Sequence, residues 1–161
     1  MESKVASLID RLQLEAHPEG GYYREIFRSG STVDPSDGRE ARSALTSIYF
    51  LLVDGEVSRW HRLRSDEAWH FIEGSPVELF RLDGELGRLE RHVLGSAADA
   101  LEPVATVPAG AWQAARTTGS YTLVGCTVGP GFDFADFRLL ADEPHLAAKL
   151  REQYPDFASL V

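Results

Sequence analysis

The chain has 161 residues, of which 43% are hydrophobic and 25% charged, a composition that excludes disorder over most of its length and fits a single domain spanning 1–161. A formal net charge of −9 excludes a phosphate-backbone binder, which needs clustered Lys and Arg, so no nucleic-acid polymer is expected as a partner.

Val5, Leu8, Ile9 and Leu12 fall at helical spacing behind Ser3, a good N-cap, and predict a short amphipathic helix. His17-Pro18-Glu19-Gly20-Gly21 breaks it, because proline disfavours helix before it and paired glycines permit positive φ. Tyr22 to Phe27 reads as a strand and Ser29 to Arg39 as a polar loop. Ala44 to Val53 is a strong strand closed by Asp54-Gly55. Further strand–turn units follow: Glu56 to Leu63, Glu67 to Ile72, Val77 to Leu82, Leu86 to Leu94, Val104 to Val107, Trp112 to Arg116 and Tyr121 to Val128. Phe132 to Leu140 adds one more candidate strand, and Leu146 and Leu150 mark a final helix that ends by Tyr154-Pro155. One helix, many short strands, then one helix means an all-β sandwich or barrel.

The N-terminus carries no charged-then-apolar leader, and no apolar run approaches the roughly 20 residues that span a bilayer, so no membrane partner is expected. The single cysteine, Cys126, allows no intrachain disulfide and no thiolate zinc site. It reads as a small buried hydrophobe in a strand, and a reducing, cytoplasmic compartment follows.

The stretch from Gly55 to Gly74 holds His61, Glu67 and His70. Strand alternation groups Glu67, Trp69 and Phe71 on one face and turns His70 to the other. If Arg64-Ser65-Asp66 joins antiparallel neighbours, His61 and Glu67 face each other across that pair. An imidazole beside a carboxylate serves as a metal corner, a general-base dyad or a structural hydrogen bond.

This stretch resembles the first cupin motif, G(x)5HxH(x)3–4E(x)6G, with Gly55, His61, Glu67 and Gly74 in place and Leu63 where the second histidine belongs. Pro108-Ala109-Gly110-Ala111-Trp112-Gln113 resembles the second motif, PxGxxH, with Gln113 at its histidine. HPEGGYYRE, RWHRLRSDEAWHF, VPAGAWQAAR and GCTVGPGFDFADFRLL together are similar to the cupin-5 subfamily, a domain of unknown function. The resemblance implies a cupin jelly-roll β-barrel with a helix at each end and a homodimer formed through a sheet edge. It also implies likeness in shape to sugar-nucleotide epimerases, and no settled reaction.

Leu63 cannot ligate a metal, so the resemblance leaves at most His61, Glu67 and Gln113 to hold a divalent ion. A small barrel is lined by inward-facing side chains, here His61, Glu67, Trp69, Phe71, Gln113 and Ala115. Arg24, Arg59 and Arg116 are further candidates for holding an anionic group of a small-molecule ligand. Phe132, Phe134 and Phe137 either cap the barrel or meet a partner chain. The leading expectation is an isomerase- or epimerase-like enzyme acting on a polar, sugar-like or nucleotide-linked metabolite. His61 is its general base, Glu67 orients His61, and Tyr22, Tyr23 or Tyr121 is the donor opposite. A non-catalytic ligand sensor and a metal-dependent enzyme with a reduced ligand set are the alternatives.

Overall fold

The structure is a computed structural model and describes residues 3–161. Helices α1 (Lys4–Leu12) and α2 (Pro144–Gln153) flank the strands. In chain order these are β1 (Glu15–Ala16), β2 (Tyr22–Arg28), β3 (Thr32–Val33), β4 (Arg42–Ser43), β5 (Thr46–Val53), β6 (Val57–Arg62), β7 (Asp66–Gly74), β8 (Val77–Leu82), β9 (Leu89–Leu94), β10 (Val104–Val107), β11 (Trp112–Thr117), β12 (Tyr121–Gly129) and β13 (Arg138–Leu139). One antiparallel sheet has the order β1-β2-β5-β12-β7-β10 and a second the order β13-β6-β11-β8-β9. The two face each other as a jelly roll, the all-β fold with terminal helices that the sequence predicts. Among the described residues, no helix is long and apolar enough to cross a membrane.

Ser3 caps α1 by accepting the Ala6 N–H at 3.1 Å. Gln13 ends the helix in the left-handed region at φ 54°. Its apolar stripe, led by Leu8, packs on Leu51 and Leu123 on the outer face of the first sheet. On the second sheet, α2 and the C-terminal residues cover Trp60, Phe80, Trp112 and Ala114. β11 is therefore buried on both faces, which is why it reads as Trp-Gln-Ala-Ala without alternation. Leu140 and Leu150 are fully buried in this layer, and each such side chain contributes about 2 kcal/mol. Between the sheets lies the third cluster, with Phe50, Leu52, Trp69 and Leu79 at its centre. Cys126 sits in it, 2% exposed, as a small apolar residue of β12.

Three expectations need correction. β6 and β7 lie in different sheets, so His61 and Glu67 approach across the barrel and not along one ladder. The chain crosses between sheets at 63–65, a route that strand alternation cannot reveal. Phe132 to Leu140 is mostly not a strand: Asp133 accepts the Ala135 N–H at 2.8 Å and starts a 3-10 turn over Phe134–Asp136. The loop after Ser29 contains a small hairpin, β3 paired with β4.

The His17–Gly21 turn is pinned to β6, where Arg59 N–H donates to the Glu19 carbonyl at 2.7 Å. Gly20 makes this approach possible: at φ 104°, a Cβ on it would stand 2.0 Å from the Val57 carbonyl oxygen. Gly38 has a similar φ of 89°, but nothing lies within 4 Å of its Cβ position. We therefore predict that Gly38→Ala costs about 1–2 kcal/mol and Gly20→Ala roughly 3 kcal/mol or more, since it adds a steric clash to the backbone strain. Urea unfolding of the two variants measures the difference, and equal losses would contradict the pinned turn.

Candidate functional site

The turn and two strands bring four acid–base side chains to one small cavity: His17 and Glu19 from the turn, His61 from β6 and Glu67 from β7. The remaining wall is largely apolar, with Ile48, Phe50, Leu63, Val128 and Phe132. The cavity holds about 40 Å³, scarcely more than one water. It adjoins an outer pocket of about 400 Å³ through shared walls at Tyr23, Thr46, Ile48 and Phe132.

Glu19 is the carboxyl that touches His61. Its Oε2 lies 3.0 Å from His61 Nε2, and its Oε1 accepts the Ser58 hydroxyl at 2.8 Å. On the other side of the imidazole, Nδ1 lies 2.7 Å from the Arg59 carbonyl. A carbonyl only accepts, so Nδ1 carries the proton and Nε2 of a neutral ring offers a lone pair. The Glu19–His61 contact therefore needs one proton, held between Oε2 and Nε2. Burial lifts Glu19 from its ordinary 4.5 to about 8, and burial lowers His61. At neutral pH the proton rests on Glu19, which donates to His61. His17 Nδ1 accepts the Glu19 N–H at 3.1 Å, and burial drives His17 down to about 3, so it too is neutral.

Glu67 is held separately. Gln113 Nε2 donates to Glu67 Oε2 at 2.6 Å, and Trp69 Nε1 donates to Gln113 Oε1 at 2.9 Å. Burial raises Glu67 to about 7, with the Cys126 thiol hydrogen-bonded to it. The same burial raises the Cys126 thiol well above its ordinary value, which removes it as a nucleophile.

The sequence expectations divide accordingly. His61, Glu67, Gln113 and Trp69 come together, with Trp69 and Gln113 supporting Glu67 and neither lining the cavity. Ala115 faces inward as expected, and Phe71 packs against the inner cluster. Arg24, Arg59 and Arg116 point elsewhere. Arg24 donates to the Leu12 carbonyl, Arg59 lines a groove behind the turn, and Arg116 pairs with Glu78 beside Phe80. Of the candidate tyrosines, Tyr23 lines the cavity, whereas Tyr121 donates to Glu73 outside it. Glu67 does not orient His61; Glu19 and the Arg59 carbonyl do. Residue-level reading does not mark His17 and Glu19, because proline and paired glycines identify their turn only as a helix breaker. The available signal was a His and a Glu beside paired glycines.

A metal on His61, Glu67 and Gln113 does not fit this arrangement. Both His61 nitrogens and both ends of the Gln113 amide already have partners. Among the described residues, no three His, Cys, Asp or Glu side chains stand where they could hold an ion.

The Phe132–Phe137 segment closes the cavity from above, with Phe137 stacked on His61 at 5.5 Å between ring centroids. Asp136 anchors it. Its carboxylate, 4% exposed, receives Arg39 at 2.9 Å and Arg42 at 3.0 and 3.1 Å. This aromatic segment caps the cavity, with Phe134 left half exposed.

A family model described as "Cupin superfamily (DUF985)", Cupin_5, matches residues 6–140. A hypothetical protein from Leishmania major is 34% identical, with a TM-score of 0.84 over 99% of this chain and 97% of its own. A protein from Shewanella oneidensis is 37% identical, with a TM-score of 0.81 over 100% of this chain and 96% of its own. Oxalate decarboxylase of Bacillus subtilis shares the fold alone: 16% identity and a TM-score of 0.59, over 91% of this chain and 37% of its own. No curated protein matches the sequence.

The buried groups predict a definite pH dependence. Between pH 4.5 and about 8 the folded protein keeps a Glu19 proton that the unfolded chain has lost, so this contribution falls as pH rises. Glu67 acts likewise between 4.5 and about 7. His17 acts oppositely between about 3 and 6.5, where only the unfolded chain is protonated. The opposing slopes offset each other below pH 6.5, and above it the carboxyls prevail. Urea midpoints should fall from pH 6.5 to 8, and Glu19→Gln should flatten that fall by up to ~1.4 kcal/mol per pH unit. An unchanged slope in the variant would show that Glu19 is ionised throughout.

Proposed function

The chain belongs to the DUF985 (Cupin_5) family of the cupin superfamily, and on that scaffold we propose an isomerase- or epimerase-like enzyme for a small polar, sugar-like metabolite. The observation that carries this reading is the pair of buried acids on the cavity wall. Glu19 holds a proton against His61, and Glu67 is poised at about 7. Two carboxyls in different protonation states are what proton transfer next to a carbonyl requires.

In this reading Glu67 Oε takes the proton from the carbon adjacent to a substrate carbonyl. The C–H electron pair forms the enediol double bond, and the carbonyl oxygen takes the Glu19 proton. His61 Nε2 holds that proton on Glu19 before the transfer, and the Ser58 hydroxyl, which donates to Oε1, then stabilises the Glu19 carboxylate. Returning the carbon-bound proton from Glu67 to the neighbouring carbon, while Glu19 takes back the proton of the second enediol hydroxyl, isomerises the substrate; epimerisation instead takes a proton from a donor on the opposite face of the same carbon, while Glu19 takes back the hydroxyl proton it gave. His61 thus belongs to the acid, and Glu67 is the base. The cavity admits only the reacting end, and the outer pocket takes the remainder of the ligand. Glu15, Glu25 and Asp133 line that pocket together with Arg28, which is paired with Glu25 at 2.8 Å, so the lining suits hydroxyl groups better than anions.

The test is proton exchange in D2O with a panel of unphosphorylated aldoses and ketoses, followed by NMR. Wild type should incorporate deuterium next to the carbonyl of at least one sugar. Glu67→Gln should abolish incorporation, and Glu19→Gln should slow it by about 10²–10⁴-fold. Exchange unaffected by Glu67→Gln, or a sugar that binds with no exchange at all, would overturn the catalytic reading.

A further inference from the structure

A second pocket, of about 400 Å³, opens on the far side of Leu63, which lines both it and the cavity. Its wall carries three arginines, Arg62, Arg64 and Arg138, and one carboxylate, Asp136. Asp136 is already consumed by Arg39 and Arg42 from the neighbouring hairpin. In a chain of net charge −9, three arginines lining one pocket run against the average.

The placement also costs the fold something. Arg62 and Arg138 are direct Cα partners across the β6–β13 ladder, and like charges at such positions repel. Arg62 is partly compensated by Glu143 at 3.0 Å and by stacking over Trp112. Arg64 is half exposed, lies within ion-pair distance of the Asp37 carboxylate at 3.7 Å and donates to the Asp37 carbonyl at 3.1 Å. Arg138 donates to the backbone carbonyls of Ala135 and Phe137 at 3.4 and 2.9 Å. Among the described residues, no carboxylate lies within the 4.0 Å ion-pair distance of Arg138. Of the three arginines that line the pocket, Arg138 is therefore the one whose charge is not matched by a carboxylate among the described residues.

We propose that this pocket binds a phosphoryl group. Planar guanidinium forks match phosphate oxygens, and a tetrahedral dianion can take donors from three directions at once. Its charge would offset the Arg62–Arg138 repulsion. The site stands apart from the acidic outer pocket and does not depend on catalysis in the cavity.

Titration calorimetry with inorganic phosphate at low ionic strength tests it, with methyl phosphate as a second probe. One saturable site per chain is expected, weakening as salt rises. Arg138→Gln should weaken phosphate binding by about tenfold or more, and Arg64→Gln with Arg138→Gln should remove it. Arg151→Gln, on the exposed face of α2, should leave it unchanged. Equal binding of methyl phosphate would identify an ester-borne phosphoryl group as the ligand, and binding of phosphate alone would identify the free anion. Because Arg64 and Arg138 are exposed, both variants should keep the wild-type circular dichroism spectrum. Absence of saturable binding in wild type, or unchanged binding in the folded double variant, would overturn the site.

Discussion

A carboxyl group inside an apolar barrel must lose either its charge or its isolation, and Glu19 and Glu67 both face that choice. Neither has an arginine or lysine within ion-pair distance among the described residues; Glu19 meets only His17 and His61. Each is instead kept by neutral partners: Ser58 and His61 for Glu19, Gln113 and Cys126 for Glu67. Hydrogen bonds from these neutral partners favour the ionised form, but burial outweighs them, so both groups hold their protons to higher pH. That physical constraint ties the fold to its chemistry. Ser58 and His61 come from one sheet and Glu67 from the other, while the turn delivers Glu19 to the end of the barrel.

The charges of the molecule are sorted around that interior. Arginines cluster at the rim, where Arg39 and Arg42 hold Asp136 and thereby the aromatic cap. They stop short of the cavity, which keeps its histidines neutral and both its carboxyls above their ordinary pKa. An arginine at the position of Leu63, which lines the cavity, would ionise Glu19 and Glu67 and dissolve the difference between them.

Much of the fold was legible in the sequence, because strand propensity and turn residues are local properties. Val77–Leu82 and Val104–Val107 have the predicted bounds. Ser3 caps its helix as read. What alternation could not show was which sheet each strand joins, and so His61 and Glu67 were placed side by side when they meet across the barrel. The site was half legible for the same reason. His61, Glu67 and Gln113 were marked by motif spacing, but the contact between Glu19 and His61 spans 42 positions and depends on a turn folding back onto β6. The three arginines expected to bind a ligand were chosen by residue type alone, and residue type carries no direction. Leu63 was read only as a lost ligand, whereas the structure makes it the partition between two pockets.

The central claim is that Glu19 is a neutral acid at neutral pH while Glu67 titrates beside it. Carboxyl carbon NMR of protein labelled at glutamate Cδ, assigned with Glu19→Gln and Glu67→Gln, reads this directly. Two resonances should move far above the others in pH, Glu19 near 8 and Glu67 near 7. If both instead titrated near their ordinary value of 4.5, the buried pair would be ionised and the account of this barrel would fail.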